Sequence, residues 1–188
     1  PDVIFYYGDP SRVATLQSQT ATPVVGLRIV DLVDVAARET TYETWRLLGE
    51  ILGRTERADR LIAFVEETID DVQTRTSEIA DSERAAAYVG AINYKGAHGI
   101  TTTRERFPPF LWTGVENPAR GIVSDAVSVQ VSPEQLLAWD PKTMFVSASN
   151  LEAARQDVAD NPEYESIEAI EDGETYSILP HANYHHNY

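Results

Sequence analysis

Cysteine is absent from this chain of 188 residues. Its absence excludes disulfide bonds, thiolate metal sites and catalysis by a thiol. The sequence also has no apolar run of about 18 residues, so it predicts no transmembrane helix. It contains no P-loop, no dinucleotide-binding fingerprint, no His-Glu-x-x-His zinc helix and no recognisable set of nucleophile, base and acid. The sequence therefore does not indicate an enzyme.

Basic residues are scarce as well. Fifteen lysines and arginines stand against 30 acidic residues, giving a net charge of -15. This balance excludes a general affinity for nucleic acid phosphates or anionic membrane surfaces. Only Lys95 and Lys142 are lysines, and the other cations are arginines. Acidic proteins with few lysines are typical of high-salt cells, where ions screen the repulsion, so we expect a halophilic host; a cationic partner is the alternative.

The longest helical pattern runs from Thr40 to about Ala80, with apolar residues at spacings of three and four. Gly53 is predicted to follow the end of a first helix, and Thr55 to cap a second. The second helix would cover residues 56–79, roughly 24 residues and roughly 36 Å. That length exceeds an ordinary crossover helix, so we predict a connecting helix between two lobes.

Strand and helix patterns alternate on both sides of the connecting helix. Before it, strands at 1–7 and 24–27 flank a helix at 11–18, which predicts a parallel βαβ unit. After it, strands are predicted at 84–92, 127–131, 144–147 and 176–179, with helices from 132 and at 151–159. The predicted organisation is therefore the remainder of an N-terminal α/β lobe (1–39), connecting helices (40–80) and a C-terminal α/β lobe (81–188).

Two motifs indicate a family. The block SPEQLLAWDPKTMFV (132–146) is followed about 20 residues later by IEAIEDGETYSIL (167–179). Together with the stretches 1–4, 22–25 and 47–58, this order resembles the substrate-binding proteins of ABC importers for iron chelates and cobalamin. The loops at 94–99, 107–110 and 179–180 look most like the archaeal branch that serves iron uptake.

The resemblance implies an α/β fold of class III periplasmic binding proteins: two Rossmann-like lobes joined by one long helix, here with a truncated N-terminal lobe. It implies a solute-binding component that captures an iron chelate (siderophore-like) or a corrinoid between the lobes and delivers it to an ABC transporter permease. It implies no catalysis and no cofactor. It places the protein in the periplasm or on the extracellular face of the membrane, as a lipoprotein whose export signal and lipid-attachment cysteine lie upstream.

In such a protein the ligand meets loops at the carboxyl ends of the parallel strands. The candidate ligand-binding residues are Tyr7, Tyr94, Lys95, His98, Arg104, Arg106, Trp112, Tyr184 and His185. His98 lies in a glycine-flanked loop that a ligand can approach closely, and Arg104 and Arg106 could hold an anionic chelate by bidentate hydrogen bonds. For each of the three, a plain surface-loop role is the alternative. Trp112, with the aromatic residues at 107–110, forms either a wall for a ligand ring or part of the core.

Two other functions stay open. His98, His185 and His186 could ligate a metal in a metal-dependent enzyme or metal-binding protein. His185 and His186 are adjacent and point in different directions on a regular backbone, so they do not form a chelating pair by themselves. The third function is a ligand sensor or interaction domain on the same fold. The sequence leaves the identity of the ligand open.

Overall fold

The computed structural model describes residues 1–92, 98–122 and 128–179. The chain divides into two compact units, and the boundary falls between Asp71 and Val72. That boundary lies within the helix Thr55–Thr76, so each unit contains part of this helix. The units are described separately below.

The first unit is built on a parallel βαβ motif, as predicted. Its elements are β1 (Ile4–Tyr7), α1 (Arg12–Thr20), β2 (Val24–Leu27), α2 (Val35–Ile51) and the first part of α3 (Thr55–Thr76). Strands β1 and β2 pair in parallel, with Ile4 opposite Val24 and Tyr7 opposite Leu27. Because the two strands are parallel, their carboxyl ends lie at the same edge.

The helical pattern in the sequence begins at Thr40, but helix α2 begins five residues earlier, at Val35. Its N-cap is Asp34, whose carboxylate accepts a hydrogen bond from the backbone N–H of Ala37 at 2.9 Å. The first turn buries no side chain, so only this cap marks the start of the helix. At the other end Gly53 has φ of +63°, which confirms its predicted role after the helix terminus.

The second unit has two sheets among its described residues. Its strands are β3 (Tyr88–Gly90), β4 (Thr102–Thr103), β5 (Val129–Gln130), β6 (Met144–Ser147) and β7 (Thr175–Ile178). Its helices are α4 (Pro108–Thr113), α5 (Pro133–Trp139), α6 (Leu151–Asp160) and α7 (Glu168–Glu171), with 3-10 turns at Asp81–Glu83, Ala148–Asn150 and Pro162–Ser166. Strands β3, β6 and β7 form a parallel sheet in that order, while β4 and β5 form an antiparallel pair.

Both faces of the parallel sheet are covered by apolar side chains. Tyr88 belongs to a buried cluster that includes Leu136, Met144 and Tyr164. Val89, the next residue, belongs to a second cluster. Successive strand residues point to opposite faces, so the two clusters lie on the two sides of the sheet. This is the arrangement of an α/β lobe, and it confirms the predicted fold class for this unit.

Helix α5 starts as the sequence predicts. Ser132 is the N-cap, and its hydroxyl accepts a hydrogen bond from the N–H of Gln135 at 3.1 Å. Pro133 occupies the first helical position, where its missing N–H is not needed.

The sequence Glu171-Asp172-Gly173-Glu174 predicts a tight turn of the hairpin type, and the structure corrects this prediction. Gly173 does turn the chain, with φ of +76°, but it joins α7 to β7. Strand β7 runs parallel to β6, so the turn is not part of a hairpin. The local sequence is suited to a turn but does not specify which strand its neighbour pairs with.

Candidate functional site

The carboxyl edge of the parallel sheet is where the second unit presents its loops. Strands β3, β6 and β7 end there at Gly90, Ser147 and Ile178. The next residue after β3, Ala91, has φ of +54°, a left-handed conformation that is uncommon for a residue with a side chain. The buried amide of Asn150, after β6, donates to the carbonyl oxygen of Ala91 at 2.7 Å. A side chain from one strand end thus fixes the backbone at another.

The loop that carries His98 is held by two other elements. The backbone N–H of Ile100 donates to Oδ2 of Asp157 at 2.7 Å, and the hydroxyl of Tyr88 donates to the carbonyl of Ile100 at 2.8 Å. A Cβ on Gly99 would overlap the carboxylate of Asp157, so glycine is required for this approach. His98 itself is half-buried.

The structure places the two candidate arginines in different environments. Arg104 is only 2% exposed, which is incompatible with a solvated surface role, whereas Arg106 is exposed. The side-chain amide of Asn117 donates to the carbonyls of Arg104 at 2.8 Å and Glu105 at 3.1 Å. The Glu105 carboxylate in turn accepts from the N–H of Gly121 at 3.0 Å. The backbone of this segment is therefore fixed, and contact of either arginine with a ligand stays a prediction.

The aromatic residues around α4 divide between core and periphery. Phe107 and Phe110 are buried in the second core cluster, with ring centroids 4.9 Å apart in an edge-to-face arrangement. Trp112 is half-buried. The core interpretation thus holds for the two phenylalanines, while Trp112 remains a candidate for ligand contact.

In the first unit, the predicted ligand residue Tyr7 lies at the end of β1 and is 56% exposed. Its hydroxyl donates to the carbonyl of Ile29 at 3.4 Å. Ile29 belongs to the segment after β2, which two threonines of α2 hold in place. The hydroxyl of Thr41 accepts from the N–H of Val30 at 3.0 Å and donates to its carbonyl at 2.9 Å. The hydroxyl of Thr44 likewise accepts from the N–H of Arg28 at 3.3 Å and donates to its carbonyl at 2.7 Å.

Several predicted site residues lie outside the described part of the chain. They are Tyr94, Lys95, Tyr184, His185 and His186. Their roles stay predictions, as does the metal-binding alternative for His98, His185 and His186. Within residues 1–92, 98–122 and 128–179, no three side chains of His, Asp or Glu are grouped closely enough to hold a metal ion.

The positioning residues of these loops were not predicted from the sequence. Asp157 lies 57 residues from Ile100, and Asn150 lies 59 residues from Ala91. Neither residue carries a local signal of its partner, because a polar side chain near the start or end of a helix usually bonds its own backbone. Gly99 was the one hint in the sequence, and sequence analysis interpreted it as room for a ligand to approach rather than as room for the Asp157 carboxylate.

Comparison with known proteins identifies the family. The sequence model of the periplasmic binding protein family matches residues 1–182. The chain belongs to the periplasmic binding protein family. This is a family of ligand-binding proteins rather than enzymes, and it binds ligands rather than using cofactors, as the sequence predicts.

Solved periplasmic binding proteins share the fold of this chain. A solute-binding protein from Veillonella parvula DSM 2008 has a TM-score of 0.72 and 20% identity, over 94% of this chain and 51% of that one. The molybdate-binding protein MolA of Haemophilus influenzae has a TM-score of 0.71 and 18% identity, over 95% and 57%. A protein of an Fe3+-hydroxamate transport system from Saccharomonospora viridis DSM 43017 has a TM-score of 0.64 and 19% identity, over 95% and 61%.

These matches establish the class III periplasmic binding protein fold, and at such low identity they establish the fold alone. The chain spans between about half and three-fifths of the length of these three proteins. None of the curated proteins matches it. Among the described residues, no helix is both long enough and apolar enough to cross a membrane.

Proposed function

We propose that this chain is part of the solute-binding component of an ABC importer for an iron chelate of siderophore type or a related metal complex. The observation that carries the proposal is the match to the periplasmic binding protein family over residues 1–182. Two proteins of the same fold are described as a molybdate-binding protein and part of an Fe3+-hydroxamate transport system. Both descriptions name metal-containing, oxygen-rich ligands.

The candidate residues suit that chemistry. A ferric chelate presents oxygen atoms around the metal, and these accept hydrogen bonds from guanidinium, imidazole and phenol groups. Arg106 and Tyr7 are exposed, and His98 is half-buried, so each can be reached from solvent. The charge of Arg104 is buried, where the weaker dielectric screening would strengthen its attraction for an anionic ligand.

The exposed surface of α5 is a candidate contact with a permease. Glu134 is exposed in the first turn of this helix. Hydrogen bonds from its own backbone N–H and from Ser132 lower the pKa of Glu134, so the carboxylate is ionised at neutral pH. We propose that it pairs with a permease arginine at the extracellular face of the membrane, where the intact protein would be lipid-anchored.

The charge of -15 supports a halophilic host, and the loops that resemble the archaeal branch support an archaeal one. Raising the salt from about 0.1 M to about 1 M shortens the Debye length from about 10 Å to about 3 Å. Screening should therefore raise the urea midpoint of unfolding over this range. A midpoint that falls or stays constant would count against the halophilic proposal.

The test of the importer proposal is a tryptophan fluorescence titration of the intact protein in high-salt buffer. The ligands are a ferric trihydroxamate, haem, cobalamin, molybdate, and free Fe3+ and Zn2+. We expect saturable quenching by a metal chelate, and about tenfold weaker binding for His98→Ala or Arg106→Ala if each loses one charge-assisted hydrogen bond. Arg120→Ala is the matched control, because Arg120 is also an exposed arginine of the second unit.

The outcomes separate the alternatives. Equal losses for Arg106→Ala and Arg120→Ala would contradict a specific role for Arg106. A response to Zn2+ alone would favour the metal-binding alternative over the importer. No response to any chelate in the panel would contradict the proposed ligand class.

A further inference from the structure

We infer that Asp157 is a positioning residue for ligand binding, and that it acts by fixing the loop of His98 through Gly99 and Ile100. The inference rests on the proposed function, because it assumes that His98 contacts the ligand. It adds a residue that lies on α6, outside every loop assigned to the ligand, and it explains why a glycine follows His98.

The carboxylate of Asp157 is oriented at both of its oxygens. Oδ2 accepts the backbone N–H of Ile100 at 2.7 Å. Oδ1 accepts the side-chain amide of Asn161 at 3.1 Å, and that amide also donates to the carbonyl of Asp157 at 2.7 Å. A carboxylate held in this way is a stronger and better directed acceptor than a neutral group.

The carbonyls of Gly99 and Ile100 are bound by other residues. The buried Tyr88 hydroxyl donates to the carbonyl of Ile100 at 2.8 Å. The carbonyl of Gly99 accepts both the hydroxyl of Thr102 at 3.0 Å and its N–H at 3.3 Å. Ile100 and Thr102 are themselves 2% and 0% exposed. Among the described contacts, the residues directly after His98 are thus anchored to α6 through Asp157 and to β3 through Tyr88.

Gly99 makes this contact available. A Cβ at this position would overlap the carboxylate, and the nearest atoms of Asp157 include its own Cβ, so a rotation of the carboxylate alone would not clear the space. Either Asp157 or the loop would have to move. Replacing Gly99 by alanine should therefore displace His98 in the same manner as removing the carboxylate.

The test compares four variants of the intact protein. Asp157→Ala and Gly99→Ala should weaken binding of a ferric trihydroxamate roughly tenfold or more, the usual effect of removing a group that orients a ligand-binding side chain. Asp157→Asn keeps one oxygen acceptor for the N–H of Ile100 but turns its NH2 towards the Asn161 amide, so its affinity should lie between those of the wild type and Asp157→Ala. Asp160→Ala is the control, because Asp160 lies on the same helix and its carboxylate bonds only Gln156 in the described contacts.

Two further readouts separate positioning from simple loss of stability. In Asp157→Ala, amide hydrogen exchange at Ile100 should accelerate and the NMR signals of the His98 ring should shift, while Asp160→Ala changes neither. If Asp157→Ala binds the chelate as the wild type does while His98→Ala does not, the inference is overturned.

Failure of the proposed function would look different. If the wild type binds no chelate, the ligand assignment fails, and the exchange and NMR measurements decide about Asp157 on their own. Unchanged Ile100 exchange and unchanged His98 signals in Asp157→Ala would refute the positioning role. Changed signals would support it whichever ligand the loop serves.

Discussion

The segment after β2 depends on hydroxyl groups of α2, and this dependence can be measured with Thr41→Val. Thr41 is 1% exposed, and valine fills nearly the same volume without the hydroxyl. The change removes the bonds to the N–H of Val30 at 3.0 Å and to its carbonyl at 2.9 Å. Valine and threonine have similar helix propensities, so the lost hydrogen bonds are the main effect.

The expected loss is about 2 kcal/mol. Each of the two bonds contributes about 0.5–1.5 kcal/mol net, and a buried group left without a partner costs about 1–3 kcal/mol. Both hydrogen bonds to Val30 are only partly buried, so the full penalty for two orphaned groups does not apply. The expected loss in the free energy of unfolding is therefore close to the net contribution of two ordinary hydrogen bonds.

Thr40→Val is the matched control on the same helix. The hydroxyl of Thr40 donates only to the carbonyl of Ala36, one turn earlier in α2, in the described contacts. That carbonyl is a regular acceptor of the helix, so we expect a change within about 0.5 kcal/mol. Urea unfolding should be followed by the fluorescence of Trp45, which lies on α2, after the other two tryptophans are replaced by phenylalanine. Equal effects of Thr41→Val and Thr40→Val would refute the reasoning.

Two further predictions concern the second unit. Gly114→Ala should lower the free energy of unfolding more than Gly173→Ala, as measured by urea unfolding. Both glycines have positive φ, where alanine costs roughly 1–2 kcal/mol, but only a Cβ at Gly114 would overlap the guanidinium of Arg84, which donates to the Thr113 carbonyl. Equal losses in the two variants would contradict this prediction. Burial raises the pKa of Tyr88, so the unfolded phenol ionises first and stability should fall as pH rises above about 10. Tyr88→Phe should flatten that fall in pH-dependent urea unfolding, and an unchanged slope would argue against it.

Local chemistry explains which elements could be predicted from the sequence. Ser132 and Pro133 specify the start of α5 by themselves, and Gly53 specifies the break between α2 and α3, because caps act within a few residues. The predicted start of α2 lies five residues beyond the observed one, because Asp34 caps a first turn in which no side chain is buried. Apolar periodicity, on which the prediction relied, has no signal in an exposed turn.

The candidate site was predictable only in outline. His98 and Tyr7 lie near or at the carboxyl ends of β3 and β1, as the sequence predicts, and their contact with a ligand stays a prediction. Burial of Arg104 could not be inferred, because an arginine between polar residues is usually solvated. The partners that fix the loops lie on distant helices, and a single sequence carries no record of such pairs.

In both units, side chains bind backbone groups of the segments that follow the strands. A backbone that leaves a sheet loses its ladder partners, and each buried N–H and C=O must find another. In the first unit the hydroxyls of Thr41 and Thr44 take that role for the segment after β2. In the second, Asn150 and Asp157 do so for the residues after β3 and in the His98 loop. The described backbone of the candidate ligand loops is therefore held by side chains outside them, and a substitution that spares these contacts should leave that backbone in place.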